Sequence, residues 1–298
     1  MLSALTLDQL RVLVTIEKTG SFSAAGRELR RVQSAISKAV QSLESSQSVQ
    51  LFDRTGKVPT MTEAGRVLAR QARQVLHQAD MFEKTANMIV AGVEPELTLA
   101  VDTIVPAAPL ISSLEALQAA FPELGVALYT EGIRTAERRV RNRSATLGIC
   151  VLLPSVPQDL QAHHLLSFNL FPVVAPNHPL ASETRPINRD VLSEYVQLIL
   201  TDPIDHTGQS HGVVSTRVWR FVDLGKRLDF LLAGFGWATM PLHIVAPHIA
   251  AGRLVQLDVD DPGIRTVPFP IYVVNERSRP MGKAASWLVE DLRARPWR

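Results

Sequence analysis

Apolar residues in the first third of the chain recur at helical spacing, and beyond it the pattern switches repeatedly between strand and helix periods. In "LTLDQLRVLVTIEKTG", Leu7, Leu10, Val14 and Ile16 fall close to one face, with Gly20 as the stop. "SFSAAGREL" starts a second short helix capped by Ser21 or Ser23, and its Ala24, Ala25 and Leu29 suit close packing. A third helix covers roughly residues 33–45 and buries Ala35, Ile36, Val40 and Leu43. Three short helices with tight connections form the core of a helix-turn-helix domain. "VQLFDRTGKVPTMT" then alternates as a small hairpin or wing around a Thr-Gly-Lys turn, and Pro59 marks an edge strand.

Thr62 caps a long helix with Glu63 in its first turn. Along it Leu68, Ala72, Val75, Ala79, Phe82, Ala86 and Ile89 alternate at steps of four and three. That seam either packs on its own chain or pairs with a second copy, and its length of about three heptads is what helix pairing needs. Gly92 and Pro95 end the helix. Strand "ELTLAVD", helix "VPAAPLISSLEALQAAF", strand "GVALYTEG", helix "TAERRVRNR" and strand "ATLGICVLL" follow, as in a mostly parallel sheet covered by helices. "FNLFPVVAP" and "VQLILT" are further strands, "DLGKRLDFLLAGFG" a helix, and strand "PFPIYVVNE" with helix "MGKAASWLVEDLRAR" closes the chain. The two α/β stretches have the pattern of similarly built subdomains.

Composition narrows the function classes. With 298 residues, 46% of them hydrophobic, two or three folded domains are expected. The net charge of +2 does not by itself imply nucleic acid, because phosphate binding depends on where the positive charge sits. A single cysteine, Cys150, excludes an intramolecular disulfide framework, and in an apolar strand it reads as a buried small residue rather than a sensor thiol. The start has no signal-peptide pattern and no apolar run has membrane-spanning length, so a soluble cytoplasmic protein with no membrane partner is expected. No dinucleotide fingerprint, P-loop or Gly-x-Ser-x-Gly appears, and we expect neither a cofactor nor a catalytic residue. His206 and His211 match no zinc spacing well, so no metal site is expected.

In the third helix Gln33, Ser34, Ser37, Lys38 and Gln41 fall opposite the apolar positions. Amide and basic side chains on such a helix read base edges in a major groove, whereas a polar face alone is usually just solvated. The helix pair before it and the wing after it favour double-stranded DNA. Arg30 and Arg31 at the helix entry, with Arg54 and Lys57 in the wing, supply phosphate or minor-groove contacts. A second site is expected where strand "LTLAVD" ends at Asp102, since strand ends facing helix N-termini are favoured ligand crevices. Asp102 and Thr103 acting only as helix caps is the competing reading.

These residues resemble the LysR-type transcriptional regulators of bacteria. The likeness rests on "FSAAGREL", "QSAISKAVQSLE", "LFDRTGKVPTMTEAG", the long helix, and further on "HPLA" (178–181) and "GFGWATMP" (234–241). Val32 stands where the family usually has Ser or Thr, and Gln47-Ser48 where it favours Leu-Gly. The resemblance implies a winged helix-turn-helix over residues 1–61, a linker and dimerisation helix over 62–94, and an α/β effector domain over 95–298. That last part would be periplasmic-binding-protein-like, with Rossmann-like subdomains at about 95–166 with 268–298 and at about 167–267. It further implies a transcriptional regulator whose small-molecule effector lies between the subdomains. Asp102, Thr103 and Ile104 would line the cleft on one side, and Thr201, Asp202, Phe235 and Gly236 on the other. Leu68, Val75, Phe82 and Ile89 would pair two copies, and two such homodimers would join through the α/β domains as a homotetramer. A small-molecule binding protein without a transcriptional role is the alternative for the α/β part alone.

Overall fold

The computed structural model describes residues 5–56, 58–204, 212–265 and 268–297. Lys57, His206 and His211 lie outside the described residues. The chain divides into two compact units, Met1–Val90 and Ala91–Arg298. Among the described residues no helix is long and apolar enough to cross a membrane.

In the first unit, α1 (Leu7–Thr19) opens on a reciprocal capping box between Thr6 and Gln9 and ends at Gly20 in the left-handed conformation, φ 75°. Its inward face differs from the expected one. Leu10 and Ile16 are buried, but Val12 and Leu13 join them, while Leu7 is exposed. The helix packs against three other helices of this unit, so its apolar stripe is wider than a single-face reading allows. Ser21, not Ser23, caps α2 (Phe22–Glu28) by accepting the Ala24 N–H at 3.1 Å. α3 (Gln33–Gln47) buries Ile36, Val40 and Leu43, whereas Ala35 is exposed. Val32 at its N-cap provides no side-chain cap. After α3 the chain turns through Ser48 at φ 53°, a left-handed position usually given to glycine. The wing is a hairpin of β1 (Phe52–Asp53) and β2 (Thr60–Met61). One oxygen of the Glu44 carboxylate accepts the N–H groups of Leu51 and Phe52 at 2.8 and 3.1 Å, fastening the wing to α3.

The Thr62 hydroxyl accepts the Gly65 N–H at 2.9 Å and caps α4 (Glu63–Val90). Gly65 is required by space, since a Cβ there would stand 2.3 Å from the Leu51 carbonyl oxygen. The first turns of α4 bury Ala69 and Ala72 against the helix-turn-helix core, with Leu68 and Leu76 partly covered. Beyond them the seam opens to solvent.

The second unit holds two sheets built to one plan. The first comprises β3 (Glu96–Asp102), β4 (Gly125–Glu131), β5 (Leu147–Val151), β6 (Leu160–Phe168) and β12 (Phe269–Glu276), in the order β4-β3-β5-β12-β6. The second comprises β7 (Leu170–Val174), β8 (Gln197–Leu200), β9 (Val218–Phe221), β10 (Ala238–Pro241) and β11 (Val255–Gln256). Pairings β8-β9 and β10-β7-β11 are joined by a bridge between Gln197 and Trp237, which gives the order β9-β8-β10-β7-β11. In each sheet the fourth strand, β12 or β7, runs antiparallel to its neighbours, so neither sheet is parallel throughout. The connecting helices are α5 (Ala107–Ala120), α6 (Thr135–Arg141), α7 (Arg189–Ser193), α8 (Leu224–Leu232), α9 (Leu242–Ala250), α10 (Pro262–Arg265) and α11 (Lys283–Ala294). Strands β6, β9, β10 and β11 carry little period of their own and are settled by their neighbours.

Two residues of the sequence signatures of this unit serve the fold. His178 accepts the Leu180 N–H through Nδ1 at 3.2 Å and caps the short turn Pro179–Ser182. Trp237 is fully buried, and its indole N–H donates to the Leu192 carbonyl and the Ser215 hydroxyl at 3.2 and 3.1 Å.

Candidate nucleic-acid interface and effector cavity

The outward face of α3 carries Gln33, Ser34, Lys38 and Gln41 in solvent, with Ser37 half-buried among them. Arg30, at φ 55°, and Arg31 are exposed where the chain enters the helix. These cations are not equivalent. Arg31 is paired with Asp8 at 2.7 Å, which holds the Asp8 carboxyl below its usual range. Arg54 donates to Glu44 at 3.2 Å and lies 6.0 Å from the centre of the Phe22 ring, so it braces the wing before it meets any phosphate. Exposed Val32 adds an apolar group at the same edge, one that a reading based on polar residues passes over.

In the second unit a cavity of about 150 Å³ lies between the two sheets, lined by Asp102, Ile104, Thr201 and Asp202 among the expected residues. Thr103 is not on its wall. Phe235 and Gly236 are not there either. Phe235 is half exposed and packs with Trp219 and Phe230, at ring-centre distances of 5.3 and 5.1 Å. Gly236 serves a close approach, since a Cβ there would stand 2.2 Å from the Val196 carbonyl oxygen. The "GFG" stretch therefore turns away from the cavity, and only Thr239 and Pro241 from the same signature reach it.

Sequence reasoning missed most of the wall. Ile133, Val151, Leu153, Leu170, Ile199, Leu200 and Phe269 make it apolar, and Arg134, Gln197, Arg227 and Thr239 add polar groups. Their only local signal is a place at or just beyond a strand end or early in a helix, which many residues share.

Four of the polar side chains have a physical assignment. Gln197 is committed to the fold, accepting the Val214 and Ser215 N–H groups and donating to the Gly212 carbonyl. Asp202 accepts from both Nη atoms of Arg138, at 2.6 and 2.7 Å. Buried Arg227 donates to the carbonyls of Leu198 and Thr239 at 2.9 and 3.0 Å, and burial pulls its guanidinium down to about 10. Asp102 is 1% exposed; Oδ1 accepts the Ile104 N–H at 3.2 Å and Oδ2 has no partner. Burial pushes its carboxyl up to about 7, opposed only by that one hydrogen bond. Asp102 does not cap α5, whose N-cap is Pro106 without a side-chain bond. Cys150 is fully buried on the strand next to Asp102, and burial, then the charges of Asp102 and Glu137, keep it a thiol.

A winged helix-turn-helix joined in one chain to a pair of α/β subdomains around a cavity defines the ligand-responsive transcriptional regulators. The chain belongs to the LysR family. The description "Bacterial regulatory helix-turn-helix protein, lysR family" matches residues 7–66, and "LysR substrate binding domain" matches residues 91–297. It is 31% identical to the probable HTH-type transcriptional regulator YhaJ of Escherichia coli, over 97% of this chain and 96% of the relative. It is 28% identical to the HTH-type transcriptional regulator AceR of Acinetobacter baumannii, over 96% of each chain. A mutant OxyR from Corynebacterium glutamicum shares the fold, with a TM-score of 0.63 at 21% identity, covering 97% of this chain and 92% of that one. Full-length BenM does so with a TM-score of 0.52 at 21% identity, covering 97% and 95%. The protein is a DNA-binding transcriptional regulator with an effector-binding domain.

Proposed function

We propose that residues 1–61 read operator DNA, residues 62–94 pair two chains, and residues 95–298 bind a small-molecule effector between their two sheets. Gln33, Ser34, Ser37, Lys38 and Gln41 meet base edges in the major groove, and Arg30, Arg31, Arg54 and Lys57 meet the backbone. Val75, Phe82 and Ile89 pair two copies into a homodimer, and two dimers associate through the α/β units into a tetramer acting in the cytoplasm. Leu68 belongs largely to the reading head's own core.

The observation that carries the effector reading is the partnerless Oδ2 of Asp102, buried at the wall of a cavity that apolar and polar side chains line together. Such an atom costs free energy unless something bonds to it. An effector touching both sheets favours one arrangement of the subdomains over another, with coupling of about 1–3 kcal/mol being typical. Mapping the genomic sites bound by the full chain gives a promoter for a reporter. Thr239→Trp, which fills the cavity, should then remove the response to growth conditions that move the parent reporter. An equal response from a Thr239→Trp chain of normal fold would place the effector elsewhere.

A further inference from the structure

The common plan of the two sheets puts like residues at like places. Strands β3 and β8 are each second in their sheet, and each leads into an aspartate, Asp102 or Asp202. Each aspartate accepts, through Oδ1, the N–H of an isoleucine two residues on, Ile104 at 3.2 Å and Ile204 at 2.9 Å. Arg138 and Arg227 are each the fourth residue of the helix after the outer parallel strand. The two subdomains therefore offer two equivalent arginine–aspartate pairs across one cleft.

One of these pairs is made and the other is not. Arg138 grips Asp202 with two hydrogen bonds. Asp102 and Arg227 share the cavity wall, yet no ion pair joins them. Asp102 keeps Oδ2 without a partner, and Arg227 keeps Nη1 without a hydrogen bond among the described residues. Burial lowers the Arg227 guanidinium, and burial opposed by the Ile104 N–H raises the Asp102 carboxyl. The two groups thus face the cavity from separate places, each desolvated and each lacking the opposite charge that its counterpart has.

We propose that this open pair receives a small zwitterion, its carboxylate held by Arg227, its protonated amine held by Asp102, and its apolar body set against Ile104, Ile199 and Leu200. A singly charged ligand would leave one of the two groups unmatched. The proposal rests on the reading of the cavity as the effector site. Around Asp102, Cys150 stays a thiol, Glu131 is bound to Arg139, Glu137 to Arg141, and His243 lies against the Ile104 backbone. Arg134 lines the same cavity but makes no ion pair with Asp102 among the described residues, so none of these groups supplies the missing cation. An ammonium arriving beside Asp102 favours its ionised form, so binding near neutral pH releases a proton.

The test is calorimetry on the full chain with leucine and phenylalanine, their analogues lacking the amine (isocaproate, phenylpropionate) and those lacking the carboxylate (isoamylamine, phenethylamine). Either amino acid is expected to bind at least about tenfold tighter than both of its analogues, a preference worth about 1.4 kcal/mol. Titration in two buffers of different ionisation heat should show a proton released. Asp102→Asn should erase the preference over the acid together with the proton release, and Arg227→Gln the preference over the amine. The comparison among ligands needs no variant, so a misfolded Arg227→Gln does not spoil it. If the acid or the amine alone binds as tightly, and Thr239→Trp blocks it, the cavity reading stands and the zwitterion is wrong. If the amino acids bind unaffected by Thr239→Trp, the cavity reading itself fails. Absence of binding by every compound overturns the proposal.

Discussion

Arg138 of α6 holds the Asp202 carboxylate with both Nη atoms, at 2.6 and 2.7 Å, and so ties the first sheet's helix layer to the end of β8 in the second sheet. Asp202 is 8% exposed and Arg138 about a third, so the pair sits between the surface and buried regimes. Removing Arg138 leaves a carboxylate in a poorly solvated place. Arg138→Ala should lower the stability of the α/β unit by about 2–3 kcal/mol, and Asp202→Ala by less, because the arginine can reach water. Adding the second change to the first should cost less than Asp202→Ala costs alone, since the ion pair is already lost and only bonds such as that from the Ile204 N–H remain to lose. All four tryptophans lie in this unit, so their fluorescence in urea isolates its unfolding.

Asp102 carries a pH signature of opposite sign to the usual carboxylate. Its folded-state value of about 7 lies above the ordinary aspartate value of 3.8. Below the lower value both states hold the proton and no penalty exists. Between the two the folded chain keeps a proton that the unfolded chain releases, so stability falls as pH rises, by up to about 1.4 kcal/mol per pH unit. We predict that Asp102→Asn flattens this slope, gaining on the parent between about pH 5 and about pH 8. Tryptophan fluorescence in urea at both values measures it. A parallel pH dependence of the two proteins would show that Asp102 is not the group responsible.

Two positions in the reading head depart from good local chemistry. Val32 gives α3 no side-chain cap, and Ser48 turns left-handed at φ 53°. Val32→Ser should add about 1 kcal/mol by bonding a first-turn N–H. Ser48→Gly should add a similar or smaller amount, because relief of the left-handed strain is offset by the freer unfolded chain. Far-UV circular dichroism melts of the full chain, read on the helix-rich first transition, provide the check.

DNA recognition should separate the side chains of α3 from those of the wing. Gln41→Ala is expected to lose about 1–3 kcal/mol on the operator and little on random DNA. Lys38→Ala should weaken both and lower the salt slope by about one ion. Arg54→Ala should also destabilise the wing, since Arg54 braces Glu44 at 3.2 Å. Anisotropy titrations at several salt concentrations distinguish these effects, and equal losses for Gln41→Ala on both DNAs would remove it from base reading.

Phe82 is 76% exposed in the single chain, and Val75 and Ile89 along the same seam are 45% and 58% exposed. A charge at Phe82 therefore disturbs no core within one chain. Phe82→Glu should lower the mass seen by light scattering and weaken operator binding together, with circular dichroism unchanged. An unchanged mass would mean that the seam pairs nothing.

Much of the architecture is local and was legible in the chain. The periods of α1 to α4 and of strands β3 to β5, the stop at Gly20 and the cap at Thr62 depend on residues within a turn or two of one another. The outward polar face of α3 was equally legible, because helix geometry alone sets which side chains oppose Ile36, Val40 and Leu43. Tertiary structure decided what those periods leave free. It put Val12 and Leu13 inside and Leu7 outside, because α1 has neighbours on more than one side. It turned Phe235 and Gly236 away from the cavity and brought Arg227 and Thr239 to it. It also matched Arg138 to Asp202 across 64 residues, while leaving the equivalent Asp102 and Arg227 apart. Such pairings follow from strand order and the crossing of β12 back into the first sheet, and no spacing along the chain encodes them.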